Sequence, residues 1–419
     1  MPAMPAMKAA FEAYTRAVLA FRLGDGGGGY ATAGARGGAL AAIARQAGRS
    51  GHCLLLGVGS GEAARHLAGL LPAGTELTVC ELYPEQAREF GGGLPVLADA
   101  SPVALAWLLL SAGLFHGRAS CVLNPEIADP QVRRRFQAVQ KLHSMFVPLP
   151  HEALPASAAP PDSPLGRDPG VPTRPEGREG RTSLSLAAIL HPDEPDLEGF
   201  FSSLPGQAFE AVVVWDAAAV PSNLPASPVP VRHLAHPLGR DFAAQRNRML
   251  DACRGDWVLY LDGDERLSPA LAGLLPLLCA QSLCRAFAFP RLALSPGGVK
   301  IGWGLWPDLQ LRLFRRDPGV RFTRPVHERL EGLRGPTGLT VGAGIRHLSD
   351  VLKSPETLAR KHVLFDLAAQ GEMDAQAGSS PRTHRQNPEY PTLPEVVFEG
   401  LTPVPLLGLW PETVSFQAL

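Results

Sequence analysis

Metal-type cysteine spacing is missing from this chain. Its six cysteines, Cys53, Cys80, Cys121, Cys253, Cys279 and Cys284, form no Cys-x-x-Cys pair, and most lie in apolar runs. That speaks against a zinc site and for buried free thiols in a reducing compartment. An excess of either charge is missing too. The formal net charge is −1, which argues against nucleic acid as a general partner. The N-terminus lacks a charged region followed by an apolar core, so no secretory signal is expected. The longest apolar run, 103–115, is about 13 residues, too short to span a bilayer. It is expected to be a core helix. A cytoplasmic protein follows as the expectation, with peripheral contact at the inner face of the membrane left open. No short-period internal repeat is seen.

The chain has ample material for large cores: 419 residues, 45% of them hydrophobic. Its length predicts two or three domains. Prolines and glycines, 41 and 44 of them, concentrate where boundaries are expected. Residues 151–181 are dense in Pro, Gly, Ala and charge, too poor in large apolar groups to offset the entropy of ordering. They divide an N-terminal domain, 1–150, from a second domain, 182–370. Residues 371–419 read as an extended or disordered tail, with Leu406, Leu407 and Trp410 as pinning points. Each domain alternates strand and helix patterns, so the fold class is α/β with two Rossmann-like domains.

In the N-terminal domain, an apolar strand, 52–56, enters Gly57-Val58-Gly59-Ser60-Gly61 and then a helix. A second strand ends in Glu81, and a later one leads to Asp99. Glycines allow close backbone approach, a helix N-terminus favours an anion, and a terminal acid can hold ribose hydroxyls. This block resembles the Gly-x-Gly-x-Gly turn of S-adenosylmethionine-dependent methyltransferases. The resemblance implies a pocket formed by Gly57, Gly59, Gly61, Glu81 and Asp99, with S-adenosylmethionine as its ligand. A degenerate domain kept for packing or partner binding is the other reading, since no catalytic or substrate-binding motif follows.

In the second domain, Trp257-Val258-Leu259-Tyr260-Leu261 is an unbroken apolar run that meets Asp262-Gly263-Asp264-Glu265. The run predicts a strand buried on both faces. Carboxylates crowded at the end of a buried strand repel one another and resist desolvation. A divalent cation would relieve that repulsion, and oxygen ligands suit Mg²⁺ or Mn²⁺ together with phosphate oxygens. An acidic turn ahead of a helix started by Ser268-Pro269 is the alternative, and the motif by itself does not separate the two.

Five ordered blocks extend the pattern: SLSLAAILHPDEPDLEGFFSSL, FEAVVVWDAAAV, DFAAQRNRMLDACRGDWVLYLDGDERLSP, PDLQLRLFRRDPGVRFTRPVHERL, and His347 with SPETLARKH. From 183 to about 370 the chain resembles the family 2 glycosyltransferases, in the bacterial group that includes lipopolysaccharide-core enzymes. The resemblance implies a GT-A fold, a nucleotide-sugar donor, inversion at the anomeric carbon and a divalent metal. The acceptor would be a glycan, a lipid-linked sugar or a protein. By motif, Asp216 would touch the donor's uracil or ribose, and Asp262 and Asp264 would serve metal and diphosphate. Asp241, Arg246 and Asn247 would line the donor site. Arg246 has a second reading, as a surface partner of Asp241 or Asp251.

Gln310 and Arg312 share one face of an alternating strand, where they reach a sugar or phosphate or simply form its solvated side. Inversion needs a base for the acceptor hydroxyl, with Glu328 as first candidate and Glu265 as second. His327 would orient an acceptor or phosphate, and His347 would contact metal or diphosphate. Two places depart from the family pattern. His191-Pro192-Asp193-Glu194 stands where many relatives carry Lys-Asn-Glu, and Asp216-Ala217-Ala218-Ala219 where small polar residues are usual. A binding protein with decayed pockets is therefore a further alternative.

Overall fold

The computed structural model describes residues 4–21, 29–34, 37–90, 95–149, 182–302, 305–325, 328–354, 356, 390–402 and 405–410. The segment expected as a linker, 151–181, and the candidate His327 lie outside the described residues.

The N-terminal unit runs α1 (Met4–Ala20), α2 (Gly37–Ala47), β1 (His52–Leu56), α3 (Glu62–Leu70), β2 (Glu76–Glu81), α4 (Pro84–Phe90), β3 (Val96–Ala98), α5 (Pro102–Ser111), β4 (Ser120–Leu123), α6 (Pro130–Met145) and β5 (Val147–Leu149). β1 to β4 form a parallel sheet in the order β3-β2-β1-β4. Every residue of β1 is buried, as expected for a parallel strand covered on both faces. Gly61, at φ 79°, turns the chain from strand into α3, a conformation that favours glycine. The apolar run at 103–115 supplies α5, apolar nearly all round and buried along most of its length. Ser101 caps it by accepting from the Ala104 N–H, with Pro102 at the first helical position.

The C-terminal unit runs β6 (Leu184–Leu190), α7 (Leu197–Ser202), β7 (Glu210–Trp215), β8 (Val231–Ala235), α8 (Phe242–Ala252), β9 (Trp257–Asp262), β10 (Glu265–Leu267), α9 (Pro269–Ala280), β11 (Ala286–Ser295), β12 (Gly298–Lys300), β13 (Asp308–Arg315), β14 (Arg321–Thr323), β15 (Arg329–Glu331), β16 (Thr337–Val341), β17 (Ile345–His347) and α10 (Ser349–Leu352). After residue 389 come β18 (Thr392–Leu393), α11 (Glu395–Leu401) and β19 (Leu406–Trp410). The large sheet is mixed, ordered β5-β19-β16-β11-β13-β9-β6-β7-β8. Strands β8, β7, β6 and β9 are parallel, and β13 joins β9 antiparallel. β6 connects to β7 on one side while β9 lies on its other side. That is a topological switch point, and ligands of such sheets bind beyond the carboxyl ends of its strands.

Two features depart from the sequence expectation. The tail expected at 371–419 includes ordered structure: α11 packs against α1, and β19 pairs with β16. β5, from the end of the N-terminal unit, then pairs with β19. One apolar core also spans both units. It joins Tyr14, Val18, Leu105 and Phe136 with Trp306, Leu339, Val341 and Leu401. Among the described residues no helix is long and apolar enough to cross a membrane.

Candidate active site

Asp262 ends β9, and Asp216 follows β7, so both stand at the carboxyl edge of the parallel strands. The helix after the acidic loop is capped by Ser268, whose hydroxyl accepts from the Leu271 N–H. Ser268-Pro269 thus starts α9 as expected, and the carboxylates at 262–265 are not themselves the cap.

Arg246 reaches Asp262 from α8. In α8, Ala243, Arg246, Met249 and Leu250 are buried at helical spacing, so Arg246 occupies a core-facing position and not a surface one. Its Nη2 lies 3.0 Å from Asp262 Oδ1 and its Nε lies 2.7 Å from Glu328 Oε1. Arg312 approaches from β13, with Nη2 3.0 Å from Asp262 Oδ2 and 2.7 Å from Glu265 Oε1. Both guanidiniums stack over the Tyr260 ring, at 4.8 and 4.6 Å from its centroid. Burial alone would raise the Asp262 pKa. The Arg312 and Arg246 charges outweigh it and hold this carboxyl well below the usual carboxylate range. Its side chain keeps 38% exposure, so an anion stays partly open to solvent at the end of β9.

Asp264 is placed differently. Its side chain is only 4% exposed, and Lys353 Nζ donates to Oδ2 at 2.7 Å. β10 pairs antiparallel with β17 in the register Glu265↔His347, which sets the His347 Nε2 3.6 Å from Asp264 Oδ1. The Leu348 N–H donates to the Asp264 carbonyl, fixing the start of α10 against the loop. Among the described residues, no group of three His, Cys, Asp or Glu side chains is placed to hold a metal ion. Mg²⁺ and Mn²⁺ do not require one, since one or two carboxylates plus substrate phosphates and water commonly suffice. Asp262 and Asp264 are carboxylates of the right chemistry, their oxygens here paired with Arg246, Arg312 and Lys353.

The other candidates fall into two groups. Asp216, Gln310 and Glu328 are partly exposed, whereas Arg312 is buried. Asp216 Oδ1 accepts from the Leu238 N–H at 2.7 Å, so part of its work is to hold the loop beyond β8. Gln310 donates to Asp308 Oδ1 at 2.6 Å. Asp241, Asn247 and Glu265 serve the scaffold. Asp241 is the N-cap of α8. Asn247 exchanges two hydrogen bonds with the Phe322 backbone and ties α8 to β14. Glu265, the reserve base, is fully buried and its carboxylate accepts from Arg312, Arg291 and the Asp262 N–H. A group so enclosed does not reach an acceptor hydroxyl. Sequence reasoning missed Lys353, Arg291 and Asp308. Arg291 pairs with both Glu265 and Asp308, a contact set by the β11–β13 register, for which the sequence carries no signal.

The N-terminal pocket is filled by the protein itself. Glu126 accepts from the Ser60 N–H and hydroxyl and from the Ala63 N–H, taking the anion position at the start of α3. A Cβ on Gly59 would run into that carboxylate. Tyr30 donates its hydroxyl to Glu81 at 2.8 Å and accepts from the Gly59 N–H. Glu81 also accepts from the Val58, Leu82 and Tyr83 N–H groups, and burial raises its pKa to about 7. Asp99 is buried against the Tyr14 hydroxyl at 2.6 Å. Gly57, Gly59 and Gly61 keep left-handed backbones, but their cradle holds Glu126 and Tyr30. The residues present do not fit S-adenosylmethionine.

Residues 191–284 match the family model described as Glycosyl transferase family 2. The match falls within the C-terminal unit, from the turn after β6 to the turn before β11. Lipopolysaccharide core biosynthesis glycosyltransferase LpsC of Rhizobium meliloti is 30% identical over 162 residues, covering 37% of this chain and 57% of the relative. A TPR repeat-containing protein of Synechococcus elongatus is 31% identical over 146 residues, covering 35% and 34%. The chain thus spans between a third and three fifths of the length of the curated relatives it matches. Among solved structures, S. aureus TarS aligns at TM-score 0.27 and 12% identity, covering 47% of this chain and 40% of that one. The mannosyltransferase PcManGT from Pyrobaculum calidifontis, in complex with GDP-Man and Mn²⁺, aligns at 0.23 and 17%, covering 32% and 45%. At these scores neither likeness bears on what this chain binds.

Proposed function

We propose that the protein is a metal-assisted inverting glycosyltransferase, moving a sugar from a nucleotide-diphosphate donor to a glycan, lipid-linked or protein acceptor. The supporting observation is Asp262, an anion held between Arg246 and Arg312 at the carboxyl end of β9, inside the family 2 segment. Asp216, at the neighbouring strand end, would take the nucleoside. Asp262, Asp264 and His347 would hold Mn²⁺ or Mg²⁺, which would neutralise the diphosphate and stabilise the leaving nucleoside diphosphate. Glu328 would accept the acceptor hydroxyl proton, oriented by the Arg246 Nε that it faces at 2.7 Å. Residues 182–370 would form the catalytic domain and residues 1–150 a non-catalytic Rossmann-like partner. The reaction would take place in the cytoplasm, and a lipid-linked acceptor would draw the protein to the inner membrane face.

The test is donor hydrolysis and transfer with a panel of nucleotide sugars and Mn²⁺. Asp264→Ala is expected to lose about 100-fold or more, since it removes charge stabilisation of the leaving group. Glu328→Gln is expected to lose about 10²–10⁴-fold in transfer while still binding donor. Full activity in Asp264→Ala would sink the metal assignment. A panel in which no nucleotide sugar raises the melting temperature would favour a binding protein with decayed pockets. Titration of the wild type with millimolar S-adenosylmethionine should release no heat.

A further inference from the structure

We propose that Lys353 is a resident counter-cation at Asp264, and that a divalent ion binds only by pushing it onto Glu194. This rests on the metal-assisted reading above. Three separate segments meet here: the loop after β9 brings Asp264, the turn after β6 brings Glu194, and the end of α10 brings Lys353. Lys353 Nζ lies 2.7 Å from Asp264 Oδ2 and 3.6 Å from Glu194 Oε2. Its side chain is 9% exposed, against 4% for Asp264 and 22% for Glu194. A Cβ added at Gly263 would come within 3.1–3.3 Å of Leu190 and Glu194, so the two turns run close together.

A carboxylate as enclosed as Asp264 is costly to leave without a cation. Before metal arrives, the Lys353 ammonium supplies one. A divalent ion on the same carboxylate would face that ammonium at close range, and the two repel strongly in so dry a setting. The lysine therefore has to leave. Glu194, already its second partner and the more open of the two carboxylates, receives it. Glu194 occupies a place where the glycosyltransferase pattern is altered in this chain, His191-Pro192-Asp193-Glu194. Lys353 then lowers the affinity for metal and ties metal entry to a defined side-chain movement.

Mn²⁺ alone, titrated calorimetrically into the full chain, tests this. Lys353→Met should bind Mn²⁺ about tenfold or more tightly than wild type. It should also melt lower in chelator and gain more melting temperature from Mn²⁺. Glu194→Gln removes the receiving partner, so it should bind Mn²⁺ more weakly than wild type, and it carries the test if Lys353→Met fails to fold. Equal or weaker Mn²⁺ binding in Lys353→Met, or tighter binding in Glu194→Gln, overturns the proposal. Asp264→Asn separates the two layers. If it binds Mn²⁺ as wild type does, the metal site itself is wrong. If it abolishes binding while Lys353→Met changes nothing, only the role of Lys353 fails.

Discussion

Arg246 sits where the helix pattern calls for an apolar side chain, beside Ala243, Met249 and Leu250 on the buried face of α8. A charge there needs partners, and it has Asp262, Glu328 and the Tyr260 ring. Removing one member of such a buried group leaves the others uncompensated, at a cost of about 3–5 kcal/mol. Arg246→Met should therefore lower urea-unfolding stability by that order and release Glu328. Arg246→Lys keeps a charge but not the fork that bridges two carboxylates. It should recover stability in part and leave transfer impaired, and a fully active Arg246→Lys would show that the bridge is dispensable. Asp99 offers a cleaner electrostatic test. Burial raises its pKa to about 6, offset in part by the Tyr14 hydroxyl and Ser101 N–H. The unfolded chain ionises near the ordinary value of about 4. Stability linked to this group is thus complete below about pH 4 and is lost as pH rises through about 6, on the order of 2–3 kcal/mol. Asp99→Asn can keep the Ser101 contact and should lessen the slope in unfolding measured from pH 4 to 8, the rest coming from Glu81, whose pKa burial raises to about 7. An unchanged slope would place the pH dependence elsewhere.

The elements divide by how far apart their partners lie in sequence. β1, β2, β6, β7, β9 and α8 were legible because each announces itself locally, by an apolar run or a 3.6-residue period. The acids at 216 and 262 were legible for the same reason, standing where such runs stop. Ion-pair partners were not. Arg246, Arg312 and Glu328 were readable as candidates, yet what each touches depends on how β13 registers against β9 and where the chain after β14 returns. Asp241 and Asn247 lie in the expected donor block but hold α8 in place: Asp241 satisfies a backbone N–H at the helix start, and Asn247, in mid-helix, bonds the Phe322 backbone of β14. β5 and β19 are the clearest omissions. Each is short, and they pair across more than half of the chain. Gly408 pairs with Pro148 and lies under the Phe146 ring, which an added Cβ would strike. Gly408→Val should cost about 1–3 kcal/mol by overpacking and loosen β5 from the sheet. Faster amide exchange should then appear in 147–149 and 406–410, with β6 and β7 unchanged. Uniform loss of protection would mean that β19 is not an independent edge.

At the scale of the whole molecule, the proline-rich segment predicts two separable domains, while the packing joins them. Trp306 lies 5.7 Å from the Tyr14 ring of α1 and 5.2 Å from the Phe398 ring of α11. The Thr402 hydroxyl donates to the Ser111 carbonyl across the same junction at 2.7 Å. The N-terminal unit, whose glycine turn holds Glu126 and Tyr30, thus shares its core with the large mixed sheet. Ile301, Trp306, Leu339, Val341 and Leu401 all lie in the core that the two units share. Fully burying one such side chain is worth about 1.5–3 kcal/mol, and a whole domain has only roughly 5–15 kcal/mol of net stability. Residues 182–419 expressed alone should therefore be insoluble or bind a hydrophobic dye strongly, and co-expression of 1–150 should restore a cooperative transition. If 182–419 alone melted as cooperatively and as high as the full chain, the shared core would be mere contact, and the N-terminal unit would need another reason for its place in the chain. The filled cradle predicts otherwise: a domain whose own pocket is closed contributes through the surface it covers.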